Sequence, residues 1–275
     1  MTIKLRLIAL ILTGFLHMPN AYAEILSAPD LQIVTEELKE ADAKTLVIFD
    51  IDDTLVVGKD LALKTPYKQE LISEKIDAVN NQCKSMFLTG FIWSDYQTEL
   101  IDKQALSILK DLRKRKIDTI ALTSGCTGRQ GNAQQAENHR IQKLKKLGID
   151  LSWSFKKAGP FTFTDLETCG KFPMYKNGVG FSCYLPKDEI LSALFDELGY
   201  EPEHIIHIDD NESHLEHVEE FCTANDISYT GFHYTYAEDH VPPLNEERAD
   251  FQFKMLKEKY TWYDDKKADK ALALK

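Results

Sequence analysis

Asp50, Asp52 and Asp53 stand within four positions of one another in the run LVIFDIDDTLV, Leu46 to Val56. A second carboxylate pair, Asp209 and Asp210, ends HIIHIDD, and a hydroxyl pair, Thr123 and Ser124, follows the apolar part of IDTIALTS. Carboxylates can attack phosphorus, exchange a proton with a leaving oxygen and hold a hard cation. Hydroxyls and a lysine such as Lys187 can hold phosphoryl oxygens. If the three run ends meet, four carboxylates converge and repel one another unless a cation sits among them. Oxygen donors favour Mg²⁺, which takes a few carboxylates and keeps positions for water and a phosphate oxygen. The chemistry these residue types point to is phosphoryl transfer.

The run ends meet only if the runs are neighbouring parallel strands. Each is apolar and rich in β-branched residues, as strands buried on both faces are. Amphipathic helices are expected ahead of two of them, over 105–114 and 187–198, and a third over 30–43 with Leu31, Val34 and Leu38 on one face and Asp30 as N-cap. The alternation implies an α/β fold with a doubly wound parallel sheet. Its ligand crevice lies at the carboxyl ends of the strands, where strand order reverses. Roughly sixty residues separate Thr54 from the second strand, more than a loop needs. A mainly helical cap insertion is expected at about 60–105. Phe87, Phe91, Trp93 and Tyr96 there could stack on an aromatic leaving group, but aromatics at this spacing more often build a cap's own core. KFPMYKNGVGFS reads as a small β-hairpin insertion, about 160–185, turning at Asn177-Gly178. Cys169 and Cys183 bracket it, either paired across the hairpin or as two unrelated buried thiols.

The order Asp50-x-Asp52-x-Thr54, Thr123, Lys187, Asp209-Asp210 resembles the four ordered motifs of the haloacid dehalogenase-like (HAD) hydrolase superfamily, over about Leu46 to Asn211. The resemblance implies a HAD-like Rossmannoid core within a domain spanning 24–275. Asp50 is then the nucleophile that forms an aspartyl phosphate, and Asp52 the general acid and later base, oriented by Thr54. Thr123, Ser124 and Lys187 hold the phosphoryl group. Mg²⁺ is held by Asp50, Asp52, Asp209 and Asp210, with Asp52 offering its main-chain carbonyl. In that superfamily an aspartate at the position of Asp52 points to phosphatases or phosphomutases. FDIDDTL in an exported setting most resembles secreted acid phosphatases, and the tail is similar to an uncharacterised bacterial group of exported HAD-like proteins. Two positions depart from the common pattern: Ile208 stands where glycine is frequent, and His214 where asparagine or aspartate is. His214 and His217 are expected on a surface helix, which makes zinc the lesser choice. With Asp52 among other carboxylates, its pKa is expected to be raised.

The chain has 275 residues, 43% of them hydrophobic, enough for one large domain with an insertion. MTIKLRLIALILTGFLHMPNAYA places Lys4 and Arg6 before an apolar run and ends in Ala21-Tyr22-Ala23, so residues 1–23 read as a cleaved export signal. The apolar run is shorter than the ~20 residues that span a bilayer. Cleavage takes the formal charge from -11 to -13 by removing Lys4 and Arg6. So acidic a chain argues against nucleic-acid or anionic-membrane partners. The reading is a periplasmic or secreted Mg²⁺-dependent phosphomonoester hydrolase acting on a small phosphorylated substrate. Two alternatives stand beside it. A phosphotransferase or mutase would pass the phosphoryl group to an alcohol, and a non-catalytic binding protein would keep the scaffold alone.

Overall fold

A computed structural model describes residues 22–76, 81–155, 159–238 and 241–274. Apart from Tyr22 and Ala23, the export signal expected over 1–23 lies outside the described residues. The first half of the chain forms β1 (Ala23–Ala28), α1 (Leu31–Glu40), β2 (Thr45–Phe49), β3 (Val56–Gly58), α2 (Tyr67–Lys75), α3 (Gln82–Asp95), β4 (Thr98–Leu100), α4 (Gln104–Arg115), β5 (Asp118–Thr123) and α5 (Ala136–Lys146). The second half forms β6 (Phe161–Thr162), β7 (Met174–Lys176), β8 (Val179–Phe181), α6 (Lys187–Leu198), β9 (His204–Asp209), α7 (Glu212–Ala224), β10 (Ser228–Tyr234), α8 (Glu246–Lys259) and α9 (Asp265–Leu272).

The main sheet has the order β1-β10-β9-β2-β5-β8-β7-β6. Neighbours from β1 through β8 pair in parallel, and β7 and β6 close the sheet antiparallel. All five residues of the central strand β2 are buried. Its side chains alternate: Val47 and Phe49 join a core with α1, α4 and α5, whereas Leu46 and Ile48 join one with α6 and α7. Helices therefore cover both faces, as the alternation of elements required. Asp30 caps α1 as expected, its carboxylate accepting from the N–H groups of Gln32 and Ile33. Two further parallel strands, β1 and β10, extend the sheet beyond the three that the sequence indicated.

The helical segment expected at about 60–105 consists of a short 3-10 turn, α2 and α3, closed off by the antiparallel pair β3 and β4. Its core is shared with the end of the chain: Leu63, Leu71, Leu88 and Ile92 pack with Ala249, Phe253, Leu256 and Trp262. The Asp60 carboxylate fixes that join, accepting from the Trp262 indole N–H at 2.9 Å and the Asp265 N–H at 3.0 Å.

The hairpin turns at Asn177-Gly178 as expected, but β8 also pairs with β5, so it belongs to the main sheet. The register corrects the possible Cys169–Cys183 pair. Met174 faces Phe181, which carried outward sets Cys183 opposite Phe172, and the Cys183 thiol donates to the Phe172 carbonyl at 3.6 Å. Cys169 lies three residues further on and is bonded instead to Cys83 of α3.

Gly178 has a φ of +82°, and a Cβ there would sit 2.2 Å from the Leu151 carbonyl oxygen. Gly199, at +56°, has no atom within 4 Å of that position. Alanine at Gly199 should therefore cost only the left-handed backbone penalty, about 1–2 kcal/mol. Alanine at Gly178 should cost distinctly more, as urea denaturation of the two variants will measure.

Candidate functional site

β5 and β9 flank β2 on opposite sides, so strand order reverses at β2. All three strands end at the same edge. Asp50 follows β2 directly, and its N–H donates to the Ile208 carbonyl at 2.8 Å, continuing the ladder with β9 by one residue. Asp209 ends β9 and Thr123 ends β5. The hydroxyl of Thr123 accepts from the Gly125 N–H at 3.1 Å, which leaves its proton free to point elsewhere.

Beneath this edge lies Lys187, the first residue of α6, with no exposed surface. Its ammonium donates to Asp50 Oδ1 at 2.6 Å and to Asp209 Oδ2 at 2.5 Å. Burial alone would lower the lysine's pKa, but Asp209 and Asp50 hold it above its ordinary value. Asp209 carries further partners, His207 at 3.2 Å and His214 at 3.2 Å. Against the effect of burial, Lys187 and these imidazoles hold it well below the usual carboxylate range. Asp50 goes the other way. Burial, with the Asp209 and Asp52 charges, pushes it up to about 7 against the pull of Lys187.

Asp52 is engaged elsewhere. The Tyr96 hydroxyl donates to Oδ1 at 2.8 Å, and the Arg140 guanidinium pairs with Oδ2 while also donating to Tyr96. Burial would raise the Asp52 pKa, but Arg140, Lys68 and the Tyr96 bond hold it below its ordinary value. This corrects the expectation of a raised pKa. Thr54 does not orient Asp52: its hydroxyl is buried and has no hydrogen-bond partner among the described residues. Asp53, the third carboxylate of the run, is structural. It is 1% exposed, adopts a φ of +67°, and receives the Thr65 hydroxyl at 2.6 Å and the Lys68 ammonium.

A cavity of ≈ 170 Å³ opens above the strand ends. Asp50, Asp52, Thr123, Ser124 and Asp210 line it; Lys187 and Asp209 lie below and do not. Burial, with Asp50 and Asp209 nearby, raises the Asp210 pKa well above the ordinary value. The lining also includes Lys68, Arg140, Lys143 and His214, none of which the sequence had marked as a site residue. The protein's own cations thus meet much of the charge that the converging carboxylates present. Lys187 serves Asp50 and Asp209, Arg140 serves Asp52, and Lys68 serves Asp53.

Asp50, Asp209 and His214 each bring a donor atom within 4.8 Å of the others, so these three could hold a cation. Asp52 and Asp210 are not part of that group. His214 is not the outward-facing residue expected of a surface helix: Nδ1 meets Asp209, and Nε2 lies 3.5 Å from the Ser124 hydroxyl. Of the aromatic run, Trp93 alone lines the cavity; Phe87 and Phe91 pack with Tyr260, and Tyr96 serves Asp52.

Residues 28–269 match the family model described as protein of unknown function (DUF2608). An uncharacterized protein of Rickettsia felis is 25% identical over 231 residues, 77% of each chain. A putative outer membrane protein of Chlamydia trachomatis is 23% identical over 236 residues, 85% of each chain, and one of Chlamydia pneumoniae 24% identical over 253 residues, 86% of each. No solved structure matches.

Removing one partner of a buried ion pair leaves an unpaired charge, at a cost of about 3–5 kcal/mol. Lys187→Met should destabilise the fold by that order in urea denaturation. Adding Asp209→Asn should restore part of the loss, because fewer carboxylates are then left without a cation.

Proposed function

The chain belongs to the DUF2608 family of proteins of unknown function, and from its site we propose a Mg²⁺-dependent phosphomonoester hydrolase working outside the cytoplasm through an aspartyl phosphate on Asp50. One observation carries this reading. Asp50, at the carboxyl end of the central strand, shares a cavity with the hydroxyls of Thr123 and Ser124 while Lys187 fixes it from below. A nucleophilic carboxylate beside hydroxyl donors, at the point where strand order reverses, is the arrangement that phosphoryl transfer through a covalent intermediate requires.

The residues at the cavity fit a hard cation. Asp50 and Asp210 line the cavity, where burial and the neighbouring carboxylates raise both pKa values, so a cation there would relieve them. Asp50, Asp209 and Asp210, with the main-chain carbonyl of Asp52, would hold Mg²⁺; of these, Asp50 and Asp209 already bring oxygens within 4.8 Å of each other. When bound, the ion neutralises charge on the phosphoryl oxygens. An oxygen of Asp50 attacks phosphorus as the ester bond to the leaving oxygen breaks. Lys187 favours the ionised form of Asp50 and prevents its rotation. Thr123 and Ser124 donate to the phosphoryl oxygens. In the second half-reaction Asp52, held ionised, accepts a proton from the attacking water. Its donation of a proton to the leaving oxygen in the first half requires that Arg140 and Tyr96 release it. At ≈ 170 Å³ the cavity is smaller than the ~300–1,000 Å³ of sites for drug-sized ligands, so the ester is a small one.

Export has two further supports. The Cys83–Cys169 disulfide suits an oxidising compartment. Two chlamydial relatives carry the name putative outer membrane protein. Among the described residues no helix is long and apolar enough to cross a membrane. A second reading rests on the clamp: an Asp52 held charged by Arg140 suits a phosphate-binding protein that needs no acid.

Assaying the purified protein against small phosphate monoesters, with Mg²⁺ and with chelator, separates the two readings. Hydrolysis should need the divalent ion, and Asp50→Asn should lose at least roughly a thousandfold in rate with an unchanged circular dichroism spectrum. Phosphate binding by calorimetry without turnover of any ester would favour the binding protein. Turnover by Asp50→Asn at the wild-type rate would remove Asp50 from the chemistry.

A further inference from the structure

Cys126 lies three residues beyond the end of β5 and lines the cavity; Cys183 lies two residues beyond β8, the neighbour of β5. The two chain segments stay paired past the sheet. The Cys183 N–H donates to the Gly125 carbonyl at 3.2 Å and the Tyr184 N–H to that of Ser124 at 3.0 Å. This pairing places the two thiols in one buried cluster. Cys126 is 2% exposed and Cys183 fully buried, in a small cluster with Met86. Cys169, one half of the Cys83–Cys169 disulfide, packs against that cluster. A buried dithiol thus lies beside Cys169, the partly buried half of a disulfide whose other half, Cys83, is exposed.

We propose that Cys126 and Cys183 form a modification site, a dithiol that exchanges with the Cys83–Cys169 disulfide and becomes a disulfide in its place. The Cys183 thiolate attacks Sγ of Cys169, and a Cys183–Cys169 bond forms as the bond to Cys83 breaks. Cys83 leaves as thiolate and takes up the proton that Cys183 gave up. Cys126 then loses its proton and attacks Sγ of Cys183, expelling Cys169, which takes up that proton. Two electrons pass from the dithiol to the disulfide, so no outside oxidant is needed. Cys183 attacks first because it lies on the same hairpin as Cys169, its thiol on the Phe172 carbonyl three residues from Cys169, and Cys169 packs against its cluster.

The two bonds tie down different parts of the site. Cys83–Cys169 anchors the start of α3, the helix that brings Trp93 to the cavity, to the loop before β7. Cys126–Cys183 would instead join the chain segments that carry Ser124 and Tyr184, both of which line the cavity. Exchange therefore releases the helix and cross-links the strand ends.

The test uses the full chain carrying one disulfide, incubated at pH 8 without redox reagents, quenched in acid, alkylated after unfolding and mapped by mass spectrometry. Two populations are expected, Cys83–Cys169 with thiols at Cys126 and Cys183, and Cys126–Cys183 with thiols at Cys83 and Cys169. Cys222, buried apart from the cluster, stays a thiol in both. Cys183→Ser should leave the first population alone. Cys83→Ser treated with oxidised glutathione should carry a disulfide at Cys183. The proposal fails if wild-type protein holds Cys83–Cys169 alone even after equilibration in a glutathione buffer, or if Cys183 stays free in the Cys83→Ser variant.

Discussion

A lysine with no contact with solvent, pinned between aspartates from two different strands, is the constraint to which the rest of the site answers. Lys187 opens α6, where the positive end of the helix dipole disfavours a cation. It is also fully desolvated. Both effects weigh against a charged ammonium, and only the carboxylates of Asp50 and Asp209, each within 2.6 Å, offset them. The bridge fixes β2, β9 and α6 relative to one another at the carboxyl edge of the sheet. A buried ion pair contributes little to net stability but much to orientation, since the alternatives leave a charge unpaired.

The neighbouring carboxylates divide by the partners they receive. Asp209 receives Lys187 and His214, with the His207 ring 3.2 Å away, so it serves as a fixed base for the bridge. Asp53 is consumed by Lys68 and Thr65, which secures the turn after β2 and the start of α2. Asp52 is taken by Arg140 and Tyr96, which ties α5 and the end of α3 to the cavity wall. Asp50 and Asp210 both line the cavity, where burial and the neighbouring carboxylates raise their pKa values even with Lys187 on Asp50.

The strand ends were legible in the sequence because a strand buried on both faces must be apolar until it leaves the sheet, so polar residues mark where it does. Asp30 and Asn177-Gly178 were legible for local reasons, a cap and a tight turn. The partners of Asp52 were not. Arg140 lies 88 residues away and Tyr96 lies 44 away, and Arg140 sits in a helix whose basic residues look like any solvated face. Lys187 was marked as a phosphate contact, and its bonds to Asp50 and Asp209 were not legible, since nothing in a sequence distinguishes a lysine aimed at a ligand from one aimed at two carboxylates. The cysteines were misjudged for a related reason. Cys169 and Cys183 are close along the chain, but the hairpin register sets Cys183 opposite Phe172 and not Cys169, whose bonded partner Cys83 is 86 residues away.

The account's central claim is that the carboxylate held by Lys187 accepts the phosphoryl group. Acid quenching during turnover of a small phosphate ester with Mg²⁺, followed by borohydride reduction and peptide mapping, tests it directly. The account predicts the reduced product of an aspartyl phosphate at Asp50 and at no other residue. Sustained turnover with Asp50 unmodified at every quench time, or a label at Asp52 or Asp210 instead, would contradict it.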